Sequence, residues 1–83
     1  MQKIYCLSGL GADERIFANI KIDNAELIHL PWPEYDEHDE IPCYAQKMSA
    51  LIKDDNPILL GVSFGGMLAV EIAKMRAVKK VII

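Results

Sequence analysis

Alternation of short apolar runs with helix-patterned segments predicts an α/β fold, a parallel four-stranded sheet with flanking helices in three layers. Three observations carry this expectation. The runs KIYCLS, AELIHLPW, PILLGV and VKKVII are nearly continuous in apolar residues, as strands buried on both faces are. Segments with apolar residues at helical spacing separate them. Right-handed crossovers then join such units into one parallel sheet. With 83 residues, 52% hydrophobic and 25% charged, the chain suffices for one small globular domain with a thin core.

The first strand, residues 3–8, ends at the turn signal GLG. Residues 12–20, ADERIFANI, place Ile16, Phe17 and Ile20 at helical spacing and predict a short helix. The second strand, within residues 25–32, is stopped by Pro31 and Pro33. The stretch PEYDEHDE, residues 33–40, is rich in acids without apolar periodicity and reads as an exposed loop. Ile41, Tyr44, Ala45, Met48, Leu51 and Ile52 then repeat at helical spacing, with Pro42 in the first turn, and DDNP at 54–57 ends that helix. A third strand over 57–62, a third helix over 63–76 and a fourth strand over 78–83 complete the pattern.

Composition excludes several function classes. The net charge is −3, and the basic residues form nothing larger than the pair Lys79–Lys80, so no nucleic-acid partner is expected. No window approaches the length of an apolar membrane span, and the N-terminal run, broken by Ser8, Gly9 and Gly11, reads as a strand rather than a signal peptide. Cys6 and Cys43 match no zinc or CxxC spacing, which argues for a reducing, cytoplasmic setting. No metal site and no cofactor is expected. The acids Glu34, Asp36, Glu37, Asp39 and Glu40 read as a solvated face.

The segment GVSFGG, residues 61–66, joins the third strand to the third helix. A nucleophilic serine needs exposure above the sheet, a base and donors for a developing oxyanion. A strand–serine–helix bend supplies exposure, and it is so tight that the residues two before and two after Ser63 must be small. They are Gly61 and Gly65, and Gly66 extends the small zone. The backbone N–H of Phe64, at the helix N-terminus, is placed to donate to an oxyanion.

On these residues the chain resembles the α/β-hydrolase family of serine esterases. A second stretch, LSGLGAD after the first strand, is similar to the family's oxyanion turn. The resemblance implies that Gly9 is the turn glycine, that Leu10 offers the second oxyanion N–H, and that Ser63 attacks an ester or related acyl substrate. Ser8 stands where many members carry histidine, which leaves the backbone donors untouched. In the family the triad runs in the order serine, acid, histidine, and about 20 residues follow Ser63 here. Residues 1–83 therefore resemble the N-terminal part of such a domain, with the acid and histidine expected outside it. The 83 residues alone are expected to be weakly active or inactive.

Two histidines lie upstream of Ser63, and neither is expected to replace the missing base. In the family's strand order His29 lies two strand spacings, about 9–10 Å, from the strand that carries the serine, beyond a direct hydrogen bond. His38 lies on the acidic loop, where five carboxylates are its natural partners. Trp32 and Tyr35 either line a substrate pocket or cover core, while Met67 and Leu68 are expected in the core.

Two other classes compete. In a dinucleotide-binding reading of SGLGADE, Glu14 would stand at the third glycine position and oppose a pyrophosphate. In a non-catalytic reading, the chain is a half-hydrolase that self-associates through its exposed C-terminal edge strand.

Overall fold

The computed structural model describes residues 2–8, 14–17 and 20–83. Four strands form one parallel sheet: β1 (Gln2–Leu7), β2 (Ala25–His29), β3 (Ile58–Gly61) and β4 (Lys80–Ile82), in the order β2-β1-β3-β4. Two α-helices, α1 (Ile41–Ser49) and α2 (Phe64–Met75), provide the crossovers around β3. The expected α/β architecture is present.

Period-two alternation divides the sheet's apolar residues between two faces. Tyr5 and Leu7 of β1 and Leu59 of β3 join Tyr44, Ala45 and Met48 of α1 and Leu68, Ala69 and Ile72 of α2 in the larger core. Ile4, Cys6, Ile58 and Leu60 face the other way and pack with Phe17. Phe17 belongs to a 3-10 helix over Glu14–Phe17, the third layer of the fold. The short helix expected over 12–20 is thus a single 3-10 turn where it is described, and Ile20 beyond it is exposed. Phe17 is the apolar anchor described for this turn.

The register sets the height of the turns. Leu7 pairs with Gly61, so β1 and β3 end side by side. Cys6 pairs with His29, which ends β2 at the same edge of the sheet. The carboxyl ends of the three strands therefore share one rim, where ligands gather in parallel sheets.

α1 is shorter than its apolar pattern. It carries Pro42 in its first turn and stops at Ser49, after which Leu51 and Ile52 bond to carbonyls three residues back. Ile52 stays buried, while Ile41 and Leu51, expected on the buried face, are exposed. Arg76, just past α2, explains the tight ending. Its guanidinium donates to the carbonyls of Ser49 (3.2 Å), Ile52 (3.1 Å) and Asp54 (2.7 Å), satisfying groups that a longer helix would have bonded internally. None of the described helices is long and apolar enough to cross a membrane.

Candidate active site at the β3–α2 turn

β3 is buried along its whole length, and two residues later the chain turns into α2. Ser63 occupies that turn with φ 58° and ψ −123°. Asn24 and Asn56 also have positive φ, which asparagine tolerates in turns. Serine gains nothing from this backbone, so surrounding structure must impose it. The imposing contacts come from the flanking glycines. A Cβ on Gly61 would lie 2.5 Å from the Gly65 carbonyl oxygen, and one on Gly65 would lie 2.1 Å from the Leu7 carbonyl oxygen. The sequence's demand for small residues at both positions is therefore met by backbone approaching backbone. Gly66 differs: a Cβ there would meet the Ile83 side chain at 3.4 Å, an ordinary contact.

Backbone hydrogen bonds lock the turn. The Val62 N–H donates to Leu7 O (3.1 Å), and the Gly65 and Gly66 N–H groups donate to Val62 O and Ser63 O, both at 2.9 Å. Phe64 is the first residue of α2, so its N–H has no acceptor within the helix. The first turn of α2 also lacks acidic residues, so no carboxylate of its own offsets the partial positive charge of its N-terminus. Ser63 is exposed, and its hydroxyl does not cap the helix. An exposed hydroxyl beside the Phe64 N–H suits attack on a carbonyl.

Gly9 and Leu10, the expected oxyanion turn, lie outside the described residues. The described end of β1 does reach the elbow: the Cβ position of Gly65 is 2.7 Å from the Ser8 carbonyl oxygen. Ser8 is buried, and its Oγ accepts a hydrogen bond from Trp32 Nε1 at 3.1 Å.

Trp32 leads to a feature the sequence left undecided. Its ring stacks on Phe64 (centroids 6.0 Å, planes 12° apart) and on Tyr44 (5.7 Å, 21°). Tyr35 meets Tyr44 edge-on at 6.0 Å. Trp32 thus packs against the core, while Tyr35 stands outside it, 65% exposed. Tyr35, Tyr44 and Phe64, with Ile41, Asp39 and Glu40, line a hollow of about 270 Å³. A second, more open hollow of about 390 Å³ contains Ser63 itself, with Val62, Met67, Val70 and Ile83 among its walls. Leu68 is buried as expected, but Met67 is 53% exposed, because the helix turns it toward this hollow.

His29 stands apart from Ser63. β1 separates β2 from β3, as the expected strand order requires, and the His29 ring lies against Phe17 (5.6 Å). His38 is exposed beside Glu37 at 3.6 Å. In the acidic loop, Asp39 accepts hydrogen bonds from Lys47 Nζ (2.6 Å) and the Asp36 N–H (2.9 Å), which hold its carboxyl below the usual range. Among the described residues no cluster of three His, Cys, Asp or Glu side chains is arranged to hold a metal ion. Both cysteines are free, and burial pushes the Cys6 thiol up to about 11. That value makes Cys6 a core residue rather than a nucleophile.

No family model matches the chain, and no curated protein matches it significantly.

Proposed function

We propose that the chain carries the nucleophile elbow of a serine hydrolase acting on esters or related acyl compounds. The observation that carries this reading is the backbone of Ser63, φ 58° and ψ −123°, imposed by Gly61 and Gly65 between a buried strand and a helix N-terminus. A tight turn made only for packing would place glycine or asparagine at the strained position. Serine there is explained by its hydroxyl.

In the proposed reaction Ser63 Oγ bonds to the acyl carbon as its proton passes to a general base. The carbonyl electron pair moves onto oxygen, and the Phe64 N–H, with that of Leu10 by resemblance, holds the oxyanion. Collapse expels the alcohol, which takes the proton, and water repeats the sequence to free the acid and restore Ser63. A histidine oriented by a carboxylate is the base that the resemblance implies; neither role is assigned to His29 or His38. The test is cleavage of p-nitrophenyl acetate with imidazole supplied as base. Ser63-dependent turnover at least about tenfold above Ser63→Ala supports the reading, since both proteins keep the oxyanion donors and only the wild type offers imidazole a hydroxyl to activate. Equal rates overturn it.

A second reading has its own support. β4 is an edge strand among the described residues, with Lys80 its single charge, and Val62, Met67, Val70 and Ile83 are exposed beside it. Pairing of β4 with a second copy would cover them. Sedimentation equilibrium checks this: a monomer at all concentrations removes the reading.

A further inference from the structure

We propose that the hollow beside Phe64 binds an uncharged aromatic group of the substrate, an inference that rests on the acyl-hydrolase reading of Ser63. Phe64 links the two, because its N–H opens α2 next to Ser63 while its ring forms a wall of the hollow. One residue thus belongs both to the hollow and to the turn that carries the nucleophile.

Size and lining agree with such a group. A dry apolar cavity of roughly 150 Å³ accommodates benzene, so about 270 Å³ leaves room for a phenyl ring and its linking atoms. Among the described lining residues Tyr35, Tyr44 and Phe64 are aromatic, and Ile41 adds an aliphatic surface. Offset and edge-on contacts between rings favour an aromatic over a saturated guest of equal size.

The walls are also fixed in advance. Phe64 and Tyr44 each stack on Trp32, whose Nε1–H is tied to Ser8 Oγ. The Tyr44 hydroxyl donates to the Pro33 carbonyl. A guest therefore does not have to order these rings, which removes part of the usual cost of binding.

The rim selects on charge. Asp39 and Glu40 both border the hollow; Asp39 is paired with Lys47, while Glu40, preceding α1, makes no side-chain capping bond. Carboxylates there oppose an anionic ring, and the Asp39–Lys47 pair cancels one of the two charges that would attract a cation.

The test follows the indole N–H resonance of Trp32, the chain's single tryptophan, during titrations of wild type and Ser63→Ala. Benzyl alcohol is expected to shift it saturably in both proteins, and to bind about threefold or more tighter than cyclohexylmethanol. Benzoate is expected to bind about tenfold more weakly. Tyr35→Ala, at an exposed position, should weaken benzyl alcohol about fivefold without changing the fold. No saturable shift, equal binding of the saturated alcohol, or tighter binding of benzylammonium each overturns the proposal. Because no turnover is involved, aromatic binding without Ser63 reactivity would fail the hydrolase reading alone, and reactivity without binding would fail this proposal alone.

Discussion

Gly65 lies so close to the end of β1 that a Cβ added to it would sit 2.1 Å from the Leu7 carbonyl oxygen. Backbone, not a flexible side chain, blocks that space, so the strand or the helix must move to admit a methyl group. Gly65→Ala is expected to destabilise the protein by about 3 kcal/mol or more, at the upper end of overpacking costs. Gly66→Ala is expected to be neutral or stabilising by up to about 1 kcal/mol, since alanine is the better helix former and meets the Ile83 side chain at 3.4 Å. Urea unfolding of the two variants checks the contrast.

The strain at Ser63 separates two substitutions that remove the same hydroxyl. Glycine adopts φ 58° freely, whereas alanine keeps the unfavourable backbone. Ser63→Gly should therefore be more stable than Ser63→Ala by about 1 kcal/mol or more. Thermal unfolding at matched pH measures the difference. Equal stability would mean that the turn is not strained.

Much of this site is legible in the sequence because its constraints are local. Gly61, Ser63 and Gly65 lie within five consecutive residues, and their spacing reports the bend directly. The strand order β2-β1-β3-β4 agrees with the one that the resemblance implies. The hollow beside Phe64 is a different matter. Trp32, Tyr35, Tyr44 and Phe64 come from three separated segments, and no periodicity connects them. Their convergence depends on β2 ending at the same rim as β1 and β3, a tertiary fact. Met67 departs from the core position its hydropathy predicts for a related reason: the helical pattern of α2 is apolar nearly all round in its first half, so hydropathy alone does not say which side faces outward.

Arg76 joins the ends of the two α-helices through three carbonyls and the Ser49 hydroxyl. Arg76→Ala leaves these partly buried acceptors without a charged donor and is expected to cost about 2–4 kcal/mol. Lysine carries one ammonium in place of a planar fork, so Arg76→Lys should recover less than half of the loss. Chemical denaturation of both variants checks the order.

Tyr5 donates its hydroxyl to the Asp54 carboxylate, and that bond, with burial, pushes its pKa from the ordinary 10.0 up to about 12. The folded protein therefore keeps this proton after the unfolded chain has lost it. The stability it contributes is fully present below pH 10 and is lost as pH rises toward about 12. Comparing wild type with Tyr5→Phe isolates the effect from other alkaline titrations: the stability gap between them should narrow over that window. Tyrosinate absorbance should also show one slow-rising component that the variant lacks.

The most direct test of Ser63 as nucleophile is intact-mass and peptide-level spectrometry after treatment with a fluorophosphonate, which forms a tetrahedral adduct with an activated serine. The chain has three serines, Ser8, Ser49 and Ser63, so each site is resolved. With imidazole supplied as the base, as in the ester-cleavage test, a single adduct on Ser63, lost in Ser63→Ala and after denaturation, is the expected result. No adduct on the folded protein, or equal modification of Ser63 and Ser49, would contradict it.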